Sequence, residues 1–176
     1  TILGKYSHSL LVVDDNAQII ALLENILSDR YFIHTAHNGK MALSILEAER
    51  IDLVISDIIM PGMDGLTLCK MIKENIQTSH IPVILLTAKA DTEDRIEGLQ
   101  VGANSYIPKP FHPEHLFVRI EKLLEHLEAT RGKFKNLAEV ELQQLSTGIN
   151  EKEDRFFLKI TTCIQANLTD TEFNAD

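Results

Sequence analysis

The feature that most constrains the fold of this chain is a short apolar run, residues 53–55, that leads directly to a carboxylate. The run reads Leu-Val-Ile, Asp57 follows it after one serine, and a turn containing proline and two glycines comes next. An apolar run of this length, with β-branched residues, is typical of a strand buried in a parallel sheet. We therefore expect Asp57 at the carboxyl end of a strand, the edge where open α/β sheets bind ligands.

Three more apolar runs repeat this arrangement. One ends in the adjacent acids Asp14 and Asp15, one ends in the hydroxyl of Thr87, and one ends just before Lys109. The carboxyl ends of parallel strands lie along one edge of a sheet. These side chains and Asp57 are therefore expected to converge on one site that contains three carboxylates, a hydroxyl and an ammonium group.

Apolar residues at helical spacing fill the intervals between the runs, and a further short run at residues 31–33 completes the pattern. Five alternating strand–helix units without hairpin signals predict an α/β fold with a doubly wound parallel sheet. The predicted strands are residues 10–13, 31–33, 53–57, 81–86 and 105–107. The fourth predicted helix, residues 91–100, has few apolar residues and is expected to pack weakly, whereas the fifth runs from Pro113 to Leu127.

The composition narrows the class of protein. The 176 residues carry a formal net charge of -9, which argues against a dominant nucleic-acid-binding surface and suits a cation site or a basic partner better. No apolar run approaches the roughly 20 residues that span a bilayer, and residues 1–8 lack the pattern of a signal peptide. Cys69 and Cys163 are far apart, so neither a disulfide framework nor a metal knuckle is indicated, and a soluble cytoplasmic protein is expected.

The last part of the chain differs in character from residues 9–127. Residues 128–153 are charged and poor in aromatic residues, which predicts a linker with one short helix. From residue 154 a helical period returns through Phe156, Ile160 and Ile164, and it predicts an amphipathic helix at the start of a further domain. Residues 1–8 are expected to be the end of a preceding linker.

The chemistry expected at the sheet edge is phosphoryl transfer. Three clustered carboxylates are costly unless a cation neutralises them, and an all-oxygen site of this kind suits Mg²⁺. With that ion present, Asp57 can attack a phosphoryl group, because an aspartate carboxylate is a competent nucleophile once charge repulsion is screened. Lys109 would pair with one phosphoryl oxygen, and the Thr87 hydroxyl would donate to another.

Together these motifs resemble the receiver domain of bacterial two-component response regulators. The matching residues are Asp14-Asp15, Asp57 before Met60-Pro61-Gly62-Met63-Asp64-Gly65, Thr87-Ala88, Tyr106 and Lys109-Pro110-Phe111. The resemblance covers residues 9–127 and implies a flavodoxin-like sheet with the strand order 2-1-3-4-5. It also implies a phosphorylated signalling domain rather than an enzyme that turns over a substrate.

The resemblance implies a role for each acidic residue. Asp57 would accept a phosphoryl group from a histidine kinase. Asp15, Asp57 and the backbone carbonyl of Ile59 would bind Mg²⁺ directly, and Asp14 would act mainly through water. The family tunes the lifetime of the phosphoryl group through the positions of Ile59 and Lys89. Because apolar Ile59 cannot orient an attacking water, we expect slow self-dephosphorylation.

Thr87 and Tyr106 match the switch pair of the family. By that resemblance the hydroxyl moves toward the phosphoryl group and the tyrosine ring turns inward. The face formed by the fourth helix, the fifth strand and the fifth helix then changes its preference for partners, which is a shift between two populated states. An extended fifth helix would also be compatible with a homodimer.

Residues 154–176 resemble the opening helix of an AraC-type DNA-binding domain. The matching stretches are Arg155-Phe156-Phe157-Leu158-Lys159-Ile160, Asn167-Leu168-Thr169-Asp170 and Phe173-Asn174. This order of parts is similar to hybrid two-component systems, in which sensor, kinase, receiver and DNA-binding parts share one polypeptide that can be anchored in the inner membrane. The recognition helices would follow Asp176, so residues 1–176 are expected to bind no DNA and to contact no membrane themselves.

Two other functions remain open. A phosphohydrolase of the haloacid dehalogenase type also uses an aspartate nucleophile with Mg²⁺, but its Asp-x-Asp pattern after the first strand differs from the adjacent Asp14 and Asp15. A pseudo-receiver that serves as a dimerisation scaffold would have no use for the intact acid cluster. His112 and His115 have a spacing that suits a metal ion, although solvated or capping histidines are commoner.

Overall fold

The computed structural model of the chain describes residues 6–88 and 101–146, with side chains as far as residue 133. The strands in this part of the chain are β1 (Ser9–Val13), β2 (Phe32–Ala36), β3 (Leu53–Asp57), β4 (Val83–Thr87) and β5 (Ser105–Pro108). Its helices are α1 (Ala17–Leu27), α2 (Gly39–Ala48), α3 (Gly65–Glu74) and α4 (Pro113–Ser146).

The five strands form one parallel sheet in the order β2-β1-β3-β4-β5. In the register of this sheet, Val13 lies beside Ser56, and Asp57 lies beside Leu86. Because all strands run in the same direction, the residues that follow β1, β3, β4 and β5 meet at one edge. The doubly wound α/β fold and the strand order expected from the sequence are confirmed.

Two apolar layers cover the sheet, because successive side chains of a strand point to opposite faces. In β1, Leu11 and Val13 belong to the core that includes residues of α2 and α3, whereas Leu10 and Val12 belong to the core that includes residues of α1 and α4. The strands β1, β3 and β4 are buried along their whole length, as expected for central parallel strands. The strand ends that carry the polar residues are therefore held by a packed core.

Three helices begin with a side chain that caps their first turn. Asn16 and Asn38 each accept a hydrogen bond of 2.9 Å, at the N-termini of α1 and α2 respectively. Asp64 accepts a hydrogen bond of 2.7 Å from the backbone N–H of Thr67 at the start of α3. Such caps satisfy amide donors that a helix leaves without intrahelical partners. They fix where each helix begins relative to the strand end before it.

The observed bounds of β1, β4 and β5 differ from the predicted ones by one or two residues, and those of β2 and the last helix differ more. β2 occupies Phe32–Ala36 rather than residues 31–33, because it pairs with β1 along its full length and so includes the polar residues His34 and Thr35. The fifth predicted helix, which is α4, does not end at Leu127 but continues to Ser146. Residues 128–146 contain no proline and are rich in good helix formers, so the stretch expected to be a linker with one short helix is helical as far as Ser146.

The chain divides by compactness into two units, Thr1–Glu128 and Ala129–Asp176. The fourth predicted helix, Lys89, Cys163 and the AraC-like residues 154–176 lie outside the described residues. Among the helices that are described, none combines the length and the apolar content that a membrane crossing requires.

Candidate functional site

The site lies where β1, β3, β4 and β5 end. Asp14 follows β1 and is 1% exposed, whereas Asp57 is the last residue of β3 and is 8% exposed. Thr87 ends β4 and is also buried, and Lys109 follows β5. The backbone N–H of Asp14 donates to the carbonyl of Ala36 over 3.2 Å, which fixes the acid at the crossing from β1 to α1.

The structure brings the three predicted carboxylates together. One oxygen from each of Asp14, Asp15 and Asp57 lies within 4.8 Å of the other two. Asp14 and Asp57 are buried, whereas Asp15 is exposed, so the cluster opens to solvent on the Asp15 side. Within the described residues this is the one group of three or more ligating side chains close enough to hold a metal ion. Its donors are all carboxylate oxygens, which suit a hard cation such as Mg²⁺.

Lys109 joins the two buried carboxylates. Its Nζ lies 2.8 Å from Oδ2 of Asp14 and 2.9 Å from Oδ1 of Asp57. The backbone N–H of Lys109 donates to the carbonyl of Thr87, which ties the residue to the end of β4. The ammonium group offsets part of the negative charge of the cluster, since three carboxylates and one ammonium leave a formal charge of about -2.

The pKa values of Asp57 and of the half-buried Lys109 are both raised, for different reasons. Burial raises the pKa of Asp57, and the nearby charge of Asp14 raises it further, although the hydrogen bond and charge of Lys109 act in the opposite direction. Burial alone would lower the pKa of Lys109, but its hydrogen bonds to Asp14 and Asp57 and the charges of both acids outweigh burial and raise it. Lys109 therefore stays protonated at neutral pH.

The two residues predicted to act as a switch lie on neighbouring strands. Thr87 is buried at the end of β4, beside Pro108 in the register. Tyr106 lies in the middle of β5 beside Leu85, and its half-buried ring packs against the core that includes α2 and α3. Tyr106 also lines a surface cavity of about 360 Å³ whose polar lining residues include Arg119 and Lys122 of α4.

The loop after Asp57 closes tightly over the acid. The backbone N–H of Gly65 donates to the carbonyl of Ile58 over 2.8 Å. A Cβ on Gly65 would overlap the carbonyl oxygen of Asp57, so only glycine fits this close approach. Within the loop, Ile59 is 60% exposed, which places an apolar side chain in solvent two residues after Asp57.

Some residues that shape the site were not predicted from the sequence. Ser56 is fully buried, and its Oγ donates to the carbonyl of Asp57 over 2.8 Å. The half-buried Met63 packs toward the first turn of α2. The sequence around a serine in a strand or a methionine in a turn has no periodic pattern that predicts these contacts. His112 and His115 lie with ring centroids 6.3 Å apart, and no third ligating residue joins them in the described part of the chain.

A family model described as the response regulator receiver domain matches residues 10–121. The chain is 35% identical over 170 residues to "Histidine kinase P4" of Formosa agariphila, and the aligned region covers 97% of this chain and 12% of that protein. It is 36% identical over 172 residues to "Probable transcriptional regulator ycf27" of Cyanidium caldarium, and this aligned region covers 97% of this chain and 67% of that protein. The present chain thus spans only a small part of the first relative.

Solved structures agree with the family match. The signal receiver domain of a signal transduction histidine kinase from Syntrophus aciditrophicus is 36% identical to this chain. The alignment covers 68% of this chain and 92% of that domain, with a TM-score of 0.65. The chemotaxis protein CheY4 of Vibrio cholerae is 33% identical, covers 66% of this chain and 98% of that one, and has a TM-score of 0.63.

Proposed function

The chain belongs to the family of response regulator receiver domains, and from this membership we propose that Asp57 accepts a phosphoryl group from a histidine kinase. The observation that carries the proposal is the ion pair of 2.9 Å between Lys109 and Asp57 inside a cluster of three carboxylates. Transfer of a phosphoryl group to aspartate requires a nucleophilic carboxylate, a fixed cation and two further acids.

The residues present fit a bound Mg²⁺ ion. Asp14, Asp15 and Asp57 supply oxygen donors within 4.8 Å of one another, and the backbone carbonyl of Ile59 is the further ligand that the family resemblance suggests. Mg²⁺ accepts one or two carboxylates and keeps several waters, so the exposed side at Asp15 suits it. When bound, the ion supplies charge that screens Asp57 from an incoming phosphate.

In the proposed reaction an Oδ atom of Asp57 attacks the phosphorus of a phosphohistidine. The new P–O bond forms as the P–N bond breaks, and the electron pair of the broken bond stays on the histidine nitrogen of the kinase. Lys109 is in place to pair with a phosphoryl oxygen once Asp57 is phosphorylated, because its Nζ already lies at hydrogen-bond distance from this acid. The product is an acyl phosphate on β3.

The output of the domain is proposed to be a change of partner preference. Thr87 is buried at the end of β4, one strand away from Asp57, so its hydroxyl can respond to a new phosphoryl oxygen. Tyr106 on the adjacent strand would follow it, which alters the surface of β5 and α4. The names of two relatives, a histidine kinase and a transcriptional regulator, support the proposal that this switch regulates transcription within a hybrid polypeptide.

An AraC-type domain after residue 153 remains part of this proposal. It rests on the sequence resemblance of residues 154–176 alone. A domain order of linker 1–8, receiver 9–127, connecting segment 128–153 and DNA-binding part from 154 would make the phosphorylated receiver the controlling element. Cytoplasmic placement of the receiver is proposed with it, because histidine kinases present their phosphoryl groups there.

Intact-mass analysis after incubation with acetyl phosphate and Mg²⁺ tests the proposed function. We expect the addition of one phosphoryl group that is lost in Asp57→Ala and in a chelated sample. A metal-independent gain, or a gain retained by Asp57→Ala, would contradict the proposal. No gain, together with failure to bind beryllofluoride, would favour the scaffold alternative, and steady release of phosphate from small esters would favour the phosphohydrolase alternative.

A further inference from the structure

The loop between β3 and α3, residues 58–64, is closed at its base by backbone hydrogen bonds. The N–H of Ile58 donates to the carbonyl of Leu86 over 3.0 Å, and the carbonyl of Ile58 accepts from Gly65 over 2.8 Å. The buried side chain of Met60 anchors the near half of the loop in the core. The far half turns at Gly62, where φ is 82°, and the side chain of Met63 gives it a further anchor on α2.

That anchor is the contact between Met63 and Gly39, the first residue of α2. A Cβ placed on Gly39 would lie 2.5 Å from Sδ, 2.7 Å from Cγ and 2.9 Å from Cβ of Met63. Real Cβ atoms essentially never approach other heavy atoms so closely. A different rotamer could move Sδ and Cγ, but Cβ of Met63 is fixed to the loop backbone. A side chain at position 39 must therefore displace the loop itself.

The backbone does not require glycine at position 39. Among the described glycines only Gly62 and Gly102 have positive φ, so an alanine could adopt the backbone conformation of Gly39. The first turn of α2 is closed by the hydrogen bond of 2.9 Å from the N–H of Met41 to Oδ1 of Asn38, and Ala42 of the same helix is fully buried in the core. The missing side chain at position 39 thus serves the contact with Met63.

We infer that Met63, seated on Gly39, is a positioning residue for the loop that offers the backbone carbonyl of Ile59 to a bound cation. This inference rests on the proposed function, because it concerns the affinity of the same site for Mg²⁺. In this role Met63 acts through the loop that joins Asp57 to α3 and not as a metal ligand. Groups that orient metal ligands from outside commonly change metal affinity by about 10-fold to 100-fold when they are altered.

The test is a cycle of three variants, Gly39→Ala, Met63→Ala and the double variant. We expect Gly39→Ala to raise the Mg²⁺ concentration that half-saturates phosphorylation by acetyl phosphate by about tenfold. The maximal rate at saturating Mg²⁺ should change less than about twofold, since the reacting groups are untouched. Met63→Ala should also weaken binding, because it removes the contact. The double variant should lose no more affinity than Gly39→Ala alone, because both substitutions disrupt the same contact and the Cβ left at position 63 still meets the new Cβ at position 39.

A second readout does not use activity. In metal-free protein, hydrogen exchange of the Gly65 amide reports on the bond from Gly65 to Ile58 that closes the loop. We expect faster exchange in Gly39→Ala and in Met63→Ala, and exchange in the double variant that is no faster than in Gly39→Ala. Gly132→Ala is the matched control, because a Cβ at Gly132 meets nothing within 4 Å. It should leave both the Mg²⁺ titration and the Gly65 exchange unchanged.

The inference is overturned if the unsubstituted chain responds normally to Mg²⁺ and Gly39→Ala gives the same titration and the same exchange as Gly132→Ala. It is also overturned if the separate effects of Gly39→Ala and Met63→Ala multiply in the double variant, as they would for two independent sites. Should Gly39→Ala fail to fold, Met63→Ala alone must weaken Mg²⁺ binding relative to Met41→Ala, an exposed methionine on α2. Absence of any Mg²⁺ response in the unsubstituted chain would reject the proposed function itself.

Discussion

Nζ of Lys109 lies 2.9 Å from Oδ1 of Asp57, although β4 separates the strands that carry the two residues. The same nitrogen lies 2.8 Å from Oδ2 of Asp14, so one side chain bridges the ends of β1, β3 and β5 across the site. Removing it leaves two buried carboxylates facing each other with no cation between them. The stability of the fold and the proposed chemistry of the site therefore involve the same ammonium group.

We predict that Lys109→Met lowers the free energy of unfolding by roughly 1 to 2 kcal/mol at pH 7 in the absence of divalent cations. The pKa of Lys109 is raised in the fold, so its contribution is complete at neutral pH and is lost only as the pH rises through that raised pKa. The deficit of the variant should shrink as the pH falls toward 4, because protonation of Asp57 relieves the repulsion. Urea titrations between pH 7 and pH 4 measure this loss of free energy of unfolding, and a loss independent of pH would contradict the prediction.

Asp57→Asn should stabilise the metal-free protein at pH 7 by on the order of 1 kcal/mol. The pKa of Asp57 is raised in the fold, mainly by burial, so its ionised form costs stability as the pH rises through the raised pKa. The gain should vanish in acid, where wild-type Asp57 is itself protonated. Thermal unfolding followed by circular dichroism at pH 7 and near pH 4 distinguishes this result from a uniform change.

Mg²⁺ should reverse the order of stability of the wild-type protein and Asp57→Asn. A ligand at a hundred times its Kd stabilises the folded state by about 2.7 kcal/mol if it does not bind the unfolded chain. Wild-type protein should gain stability of this size, whereas Asp57→Asn, which lacks one of the three clustered carboxylates, should gain much less. Equal gains in both proteins would place the bound ion elsewhere.

Ile59→Asn should shorten the lifetime of the phosphorylated state by roughly tenfold, since an amide near the acid cluster can orient a water for attack. The isoleucine is 60% exposed, so the substitution removes little core packing and should leave the fold intact. The decay of the phosphorylated mass after removal of acetyl phosphate measures the lifetime. Ile76→Asn is a suitable control because Ile76 is 92% exposed in the turn after α3. Equal decay in all three proteins would show that position 59 does not limit hydrolysis.

Replacing either of two buried serines by alanine should change the stability of the fold, in opposite directions for the two residues. The hydroxyl of Ser9 has no hydrogen-bond partner among the described residues, so Ser9→Ala should raise stability by about 1 kcal/mol. Ser56 donates to the carbonyl of Asp57 over 2.8 Å, so Ser56→Ala should lower stability by about 1 kcal/mol. Parallel urea titrations compare them, and a loss of stability in Ser9→Ala would mean that its hydroxyl is bonded in solution.

Much of the site was predictable because it depends on the ends of strands. Asp14, Asp57 and Thr87 each follow an apolar run, and parallel pairing brings such ends to one edge irrespective of the details of packing. The strand order required the family resemblance, since alternating elements alone permit more than one order. The roles assigned to these residues remain predictions that the experiments above address.

The parts that sequence patterns missed depend on contacts between distant segments. Met63 and Gly39 are separated by the whole of α2 and β3, and neither shows a periodic signal for the other. β2 extends through His34 and Thr35 because β1 supplies pairing partners, which no local propensity indicates. α4 passes Leu127 without a break because the residues after it are good helix formers, although their charge suggested a linker.

The position of β1 between β2 and β3 has a consequence for how such a domain can be redesigned. Chain connections leave β1 and β3 toward opposite faces of the sheet, to α1 on one side and α3 on the other, and this divergence opens a crevice at their carboxyl ends. The crevice is a product of connectivity and would persist if Asp14, Asp15 and Asp57 were all replaced. Its shape and its reactivity are thus separable, so a protein engineer could exchange the acids for other ligands while retaining the same scaffold.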